Sequence, residues 1–152
     1  MALIKSISGI RGTIGGKPGS NLSPLDIVKF SAAYAGWLQA SGKTGTIIIG
    51  RDGRMSGAMV NSLCSNTLLA YGFDVTDLGV TTTPTVEVAV KNENAAGGII
   101  ITASHNPKEW NALKLLNSEG EFISAADGAK ILEIAGAEDF TFATVEKTGK
   151  YF

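Results

Sequence analysis

A serine-centred turn after a short apolar strand is the segment of this sequence best placed to do chemistry. Residues Gly98 to Thr102 are apolar and β-branched, which predicts a buried strand, and Ser104 follows with the chain's single histidine beside it. Open α/β sheets bind their ligands at the carboxyl ends of the strands. Two cations, Lys108 and Lys114, lie close downstream and would suit an anionic group carried on Ser104. Because serine, asparagine and proline are also ordinary turn residues, a purely structural turn is the alternative on these residues alone.

The sequence lacks the complete motifs of three other kinds of functional site. Two glycine-lysine pairs suggest a phosphate-binding loop, but Arg11 and Trp37 stand where that motif requires its first glycine. One cysteine and one histidine are too few for a zinc cluster of those residues. No serine lies in the G-x-S-x-G pattern of hydrolases. The glycines of the two pairs are therefore predicted to serve turns.

The sequence around the serine resembles a known enzyme signature. The run Thr102-Ala103-Ser104-His105-Asn106-Pro107 is similar to the phosphoserine signature of the α-D-phosphohexomutases, the phosphoglucomutase/phosphomannomutase superfamily. Three further segments resemble that family's arginine turn, a second loop and the segment with its active-site lysine, in family order. They are Ser8-Gly9-Ile10-Arg11-Gly12, Gly50-Arg51-Asp52-Gly53-Arg54-Met55-Ser56-Gly57 and Asn111-Ala112-Leu113-Lys114. The chain thus resembles the first of the family's usual four domains.

The resemblance implies a role for each matching residue. Ser104 would be a phosphoserine in the resting enzyme, and its phosphate would supply one ligand to Mg²⁺. Arg11 and Lys114 would lie beside the transferring group, with Lys114 moving the proton and Arg11 assisting. The remaining matches would bind the phosphate, bind substrate or brace the catalytic loop: His105, Asn106, Asn111 and Arg51, together with Asp52 and Arg54.

The resemblance also implies a reaction, a substrate class and a set of partners. The family moves a phosphoryl group between the 1- and 6-hydroxyls of a hexose phosphate, through a bisphosphorylated intermediate. The expected partners are the hexose phosphate, Mg²⁺, a hexose 1,6-bisphosphate activator and the downstream domains of the same chain. Glucose and mannose phosphates are the first expectation for the substrate, and glucosamine phosphate is the second. The fragment alone is expected to be inactive, and an isolated sugar-phosphate-binding module is the alternative from another functional class.

Composition narrows the class of protein. The chain has 152 residues, of which 44% are hydrophobic and 18% charged, so it can bury one core without a disulfide or metal. Its net charge is -1 and it has no basic run, so nucleic acid is not expected as a partner. No apolar run approaches the length of a membrane span, and the single cysteine, Cys64, is expected to fill the core. A cytoplasmic protein without a membrane partner is predicted.

Alternating apolar patterns predict the elements that position the site. One short strand is expected within residues 2–20, and further strands at 46–49, 73–78, 98–102 and 112–116. Helices are expected after Ser23, across the apolar stripe 60–71, at 83–90 and after Ser124. This order predicts an α/β fold, a three-layer α/β/α sandwich around a small mixed, mostly parallel sheet. Residues 1–145 are expected to form the domain, and 146–152 the start of a linker to a second domain.

Overall fold

Strands and helices alternate along most of the chain, as the apolar patterns predict. The structure is a computed structural model that describes residues 3–6 and 9–152. The helices and strands expected after residue 20 are present, and their ends differ from the predicted ends by a few residues. The elements are β1 (Leu3–Ser6), β2 (Gly9–Thr13), α1 (Pro24–Ala40), β3 (Thr46–Arg51), α2 (Gly57–Tyr71), β4 (Asp74–Val80), α3 (Thr83–Asn92), β5 (Gly97–Ile101), β6 (Trp110–Leu116), α4 (Ala125–Ala137) and a 3₁₀ turn (Val145–Lys147).

Capping residues explain where the helices begin and end. At the start of α1 the Asp26 N–H donates to Ser23 Oγ (3.4 Å), and the Ser23 N–H donates to Asp26 Oδ2 (3.1 Å). This reciprocal pair satisfies two backbone donors, and Pro24 fits the first helical turn. Helix α2 ends at Gly72, whose φ of 102° is a left-handed conformation that glycine adopts freely. Within residues 3–6 and 9–152, no helix is both long and apolar enough to cross a membrane.

The described strands form one mixed sheet in the order β1-β2-β6-β5-β3-β4. The pairs β3–β4 and β3–β5 are parallel, whereas β1–β2, β2–β6 and β5–β6 are antiparallel. The predicted mixed sheet is confirmed. Four of the six described strands, β2, β5, β3 and β4, run in the same direction, which agrees with the predicted mostly parallel sheet, although three of the five neighbouring pairs are antiparallel. The reason is that β1–β2 and β5–β6 are joined by connections too short for the crossover that parallel neighbours require.

Helices cover both faces of the sheet, as predicted for a three-layer sandwich. Helices α1, α2 and α4 share one core with alternate strand residues such as Ile47, Ile49 and Ile99. Helix α3 forms a second, smaller core on the other face, around Ile48 and Ile100. Because successive side chains of a strand point to opposite faces, the isoleucine runs of β3 and β5 supply both cores.

Residues after α4 run back along the domain. The Gly149 N–H donates to the Leu69 carbonyl (2.9 Å), and the Phe152 N–H donates to the Val75 carbonyl (2.8 Å). The Val75 N–H in turn donates to the Lys150 carbonyl (2.9 Å), so this segment lies beside β4 at the edge of the sheet. A linker role for 146–152 stays a prediction, but in this structure the segment packs against the domain.

Candidate functional site

The turn that carries Ser104 has an unusual backbone conformation. Ser104 follows β5, is exposed, and has a φ of 54° in the left-handed region, which a non-glycine residue rarely adopts. The Asn106 N–H donates to the Ala103 carbonyl (3.0 Å) and the Trp110 N–H to the Pro107 carbonyl (3.0 Å), which folds the segment into two tight turns. This geometry presents Ser104 at the carboxyl end of β5.

The guanidinium of Arg54 binds this loop from the neighbouring β3–α2 connection. Its Nη2 donates to the carbonyls of Ser104 (2.8 Å) and Asn106 (2.7 Å). Its Nη1 donates to the carbonyls of Pro107 (2.6 Å) and Trp110 (3.2 Å). The expectation that Arg54 braces the loop through hydrogen bonds is therefore confirmed.

Asp52 links Arg54 to the start of the same loop. Its Oδ2 accepts from Arg54 Nε (3.2 Å) and from the Thr102 hydroxyl (2.6 Å), and its Oδ1 accepts from the Arg54 N–H (3.1 Å). The Ser104 N–H then donates to Thr102 Oγ1 (3.2 Å). Thr102 lies within the signature run, but its type alone does not reveal this bridging role. Its position two residues before the serine is the signal, because a Ser or Thr hydroxyl often accepts from the N–H two residues later.

Arg11 and Lys114 lie on one face of the sheet and line a common cleft. Ile10 and Leu113 belong to the core that β2 and β6 share with α1, α2 and α4. Arg11 and Lys114 each follow one of these residues directly. Their side chains therefore point to the opposite face of the sheet, on which α3 lies. Arg11 pairs with Ala112 in the β2–β6 register, which makes Lys114 its diagonal neighbour, with the Cα atoms about 7–8 Å apart. Both residues line a cleft of about 170 Å³ together with Ser6 and Gly9.

The ring of Trp110, which sequence reasoning gave no role, lies against Arg11. The centre of the Arg11 guanidinium is 5.9 Å from the ring centroid, within the range of a cation–π contact. Trp110 also begins β6 immediately after the serine loop, so it connects that loop to the cleft. Its place directly before the Asn111–Lys114 segment is the signal that could have found it. Ser8, the first residue of the predicted arginine turn, lies outside the described residues.

Asn111 has its polar groups engaged away from the serine loop. The residue is fully buried, and its Nδ2 donates to Ser56 Oγ (2.8 Å) just before α2. Its Oδ1 accepts from the Ala112 N–H (2.9 Å). The structure therefore places Asn111 between β6 and the start of α2, and a contact with substrate or loop stays a prediction.

Arg51 is the last residue of β3, and its charge interacts with a cluster of side chains around Asp77 on β4. It donates weakly to the Asp52 carbonyl (3.4 Å), and its charge acts on Asp77. Burial raises the pKa of Asp77, but hydrogen bonds from Tyr151, Gly79 and Asn61, together with Arg51, outweigh burial and lower it. Tyr151 has its pKa raised, chiefly because it donates a hydrogen bond to Asp77. Arg51 is thus placed with this cluster, while His105 and Asn106 lie in the serine loop itself.

Two clefts in the described part of the chain have more than twice the volume of the cleft that Arg11 and Lys114 line. One, of about 390 Å³, is lined by residues such as Pro18, Lys29 and Phe140, and the other, of about 400 Å³, by residues such as Asn61 and Tyr151. Neither is lined by a residue that the sequence predicts for the site. Cleft volume alone would therefore point away from the serine loop and from the cleft that Arg11 and Lys114 line.

Comparisons with known proteins show the family to which the chain belongs. Residues 3–142 match the family described as phosphoglucomutase/phosphomannomutase, alpha/beta/alpha domain I. A phosphoglucosamine mutase of Sulfurovum sp. is 35% identical over 136 residues, which are 90% of this chain and 30% of that protein. A phosphoglucomutase/phosphomannomutase of Thermococcus kodakarensis is 35% identical over 142 residues, which are 91% of this chain and 31% of that protein.

A solved structure has the same fold. The crystal structure of a phosphoglucomutase/phosphomannomutase family protein from Burkholderia thailandensis superposes with a TM-score of 0.83 at 24% identity. The match covers 98% of this chain and 32% of that one. This chain accordingly spans about 30% of the length of the curated relatives described above. The chain belongs to the phosphoglucomutase/phosphomannomutase family, and residues 3–142 correspond to its α/β/α domain I.

Proposed function

We propose that this chain is the phosphoserine domain of a phosphohexomutase, which moves a phosphoryl group between the 1- and 6-hydroxyls of a hexose phosphate. The observation that carries the proposal is Ser104, exposed in a held left-handed turn at the end of β5, in a chain of this family. The proposal concerns the whole protein, because the chain spans about 30% of its relatives' length.

Ser104 is the group that we assign to carry the phosphate. In the first step the bond from phosphorus to Ser104 Oγ breaks as a bond to the free sugar hydroxyl forms, which gives a bisphosphorylated sugar. After the sugar reorients, a bond forms from Ser104 Oγ to its other phosphorus as the bond from that phosphorus to the sugar oxygen breaks, and that oxygen leaves as the free hydroxyl. The proton of the attacking hydroxyl passes to the Lys114 amine in the first step and from there to the leaving sugar oxygen in the second, while the guanidinium of Arg11 offsets charge on the transferring group. Their shared cleft supports this division of roles.

The remaining predicted residues act around the phosphate in this proposal. His105 and Asn106 belong to the serine loop and are the candidates to contact or orient the phosphate. Arg51 and Asn111 act through the elements beside the loop, since their contacts are with the β3–α2 connection.

Mg²⁺ belongs to the proposal through the phosphate of Ser104. A bound Mg²⁺ would offset negative charge on the phosphoryl oxygens. Within the described part of the chain, no group of three or more His, Cys, Asp or Glu residues could hold a metal ion. A phosphate oxygen on Ser104 is therefore the ligand that we assign to this chain, and the others would come from downstream domains of the same polypeptide. A hexose 1,6-bisphosphate would serve as the activator that phosphorylates Ser104.

The hexose is the part of the proposal with two candidates. We put glucose and mannose phosphates first, in line with the relative named phosphoglucomutase/phosphomannomutase. Glucosamine phosphate is the alternative, favoured by the relative named phosphoglucosamine mutase. We also propose a cytoplasmic location. Steady-state assays of the full-length protein with the three hexose phosphates would rank the substrates by kcat/KM.

Phosphate mapping tests the proposal directly. Full-length protein is incubated with a hexose 1,6-bisphosphate and Mg²⁺, and intact mass followed by peptide mapping locates the phosphate. We expect one phosphate on Ser104, no mutase activity in Ser104→Ala, and ordinary activity in the control Ser62→Ala, which alters an exposed serine on α2. Phosphate on another serine, with Ser104→Ala fully active, would refute the proposal. Binding of the sugar phosphate without transfer would favour the binding-module alternative.

A further inference from the structure

Both backbone polar groups of Ser104 are tied into one closed circuit of hydrogen bonds. The Ser104 carbonyl accepts from Arg54 (2.8 Å), and the Ser104 N–H donates to Thr102 Oγ1 (3.2 Å). The Thr102 hydroxyl donates to Asp52 Oδ2 (2.6 Å), and the same oxygen accepts from Arg54 Nε (3.2 Å), which closes the circuit. We call Arg54, Asp52 and Thr102 the serine clamp.

Arg54 has its donors fully occupied by this arrangement. A guanidinium carries five N–H donors, and each nitrogen of Arg54 is matched: Nε to Asp52, and Nη1 and Nη2 to two loop carbonyls each. The side chain is 13% exposed, so it lies under the loop. No donor is left to contact a phosphate, which separates Arg54 from the cations of the cleft.

The conformation that the clamp holds is one that serine does not favour. A left-handed φ brings Cβ too close to the backbone of an ordinary residue, so the unrestrained loop would relax toward negative φ. Such relaxation would change the direction in which Cβ, and with it the Ser104 hydroxyl, leaves the backbone. In-line phosphoryl transfer depends on where that oxygen points.

We propose that Arg54 is a positioning residue for phosphoryl transfer, which, with Asp52 and Thr102, holds Ser104 in the left-handed conformation that presents its oxygen to the sugar. The inference rests on the proposed function. Lysine would not replace arginine here, because an ammonium group has three donors and lacks the planar fork that reaches carbonyls on both sides.

The test compares clamp variants of the full-length protein. Arg54→Lys keeps the charge and removes the fork, Thr102→Val removes the bridging hydroxyl, and Thr102→Ser retains it. Lys130→Met on the exposed surface of α4 is the control. We expect kcat of Arg54→Lys to fall about 100-fold, with KM changed by less than about threefold. Thr102→Val should lose about tenfold in kcat, whereas Thr102→Ser should stay close to wild type.

Two further measurements separate positioning from loss of the fold. The rate at which hexose 1,6-bisphosphate phosphorylates Ser104, followed by mass, should fall in parallel with kcat. Hydrogen exchange in residues 103–110 should accelerate in Arg54→Lys while exchange in α1 stays unchanged. Wild-type kcat in folded Arg54→Lys, or equal kcat in Thr102→Val and Thr102→Ser, would overturn the inference while leaving the proposed function intact. Absence of phosphate on wild-type Ser104 would overturn both.

Discussion

One buried hydroxyl is inserted between two strands of the sheet, and removing it should measurably weaken the domain. Tyr34 on α1 is fully buried, and its hydroxyl donates to the Leu116 carbonyl (2.6 Å) and accepts from the Gly98 N–H (2.9 Å). Gly97 makes room for it, since a Cβ at that position would lie 2.1 Å from the hydroxyl oxygen. Burial raises the pKa of Tyr34 well above its ordinary value, so the hydroxyl stays a neutral donor.

The expected loss in the free energy of unfolding of Tyr34→Phe follows from the two backbone groups that lose their hydrogen-bond partner. A buried donor or acceptor without a partner costs about 1–3 kcal/mol. Gly98 and Leu116 face each other across β5 and β6, so the strands can recover part of this cost by moving closer. We therefore expect a loss of about 2 kcal/mol, the low end of the roughly 2–6 kcal/mol that two unpaired groups would cost. For a chain of this length, that corresponds to a melting temperature lower by about 4–8 °C.

Urea and thermal unfolding, followed by circular dichroism, would measure the loss. The matched control is Tyr71→Phe, because the Tyr71 hydroxyl accepts a long hydrogen bond from the Thr141 N–H (3.4 Å) at the surface of the core. We expect the control to lose less than about 1 kcal/mol. Equal stability of the two variants, or of Tyr34→Phe and wild type, would refute the reasoning.

Three further outcomes are expected. Asp77 contributes stability above its unfolded pKa that is lost as pH falls through its lowered folded value. Tyr151 contributes stability below its unfolded pKa that is lost as pH rises through its raised folded value. The protection of the amides of residues 150–152, measured relative to an unstructured peptide at the same pH, should therefore fall at both extremes, and Asp77→Asn should remove the fall at acid pH. Burial raises the pKa of Cys64 to about 12, so a thiol reagent at pH 8 should react only after unfolding, and fast labelling of the native chain would contradict this. The 152-residue chain alone should unfold cooperatively in calorimetry and should show no mutase turnover in a coupled assay. Turnover that Ser104→Ala abolishes would contradict this prediction.

Much of the architecture could be predicted because local signals mark its elements. The Ser23–Asp26 cap and the isoleucine runs of β3 and β5 each specify an element from a few adjacent residues. The β1–β2 hairpin was missed as a pair of strands, because β2 carries glycines where a strand pattern needs side chains. Gly9 is required there by a contact distant in sequence: a Cβ would lie 2.1 Å from the Leu113 carbonyl oxygen. The direction of each neighbouring pair could be predicted only in part, because it depends on which strands meet in space.

The candidate site could likewise be predicted in part, from the local features of the sequence. Ser104, Arg11 and Lys114 could be singled out from residue type and motif, and bracing by Arg54 was expected from its turn. The acceptors of Arg54 could not be named, because they are backbone carbonyls whose positions depend on how the loop folds. Asn111 has the residue type of a ligand-binding group, yet its side chain links β6 to the start of α2.

The segment beside β4 also guards the domain against self-association. An edge strand with free N–H and C=O groups is a template for pairing with another chain, and the backbone of Lys150 and Phe152 occupies these groups on Val75. Residues 3–142, which match the family, do not include that cover. A version shortened to residue 142 would expose the β4 edge at Val75, so it is expected to dimerise or aggregate at concentrations where the 152-residue chain stays monomeric.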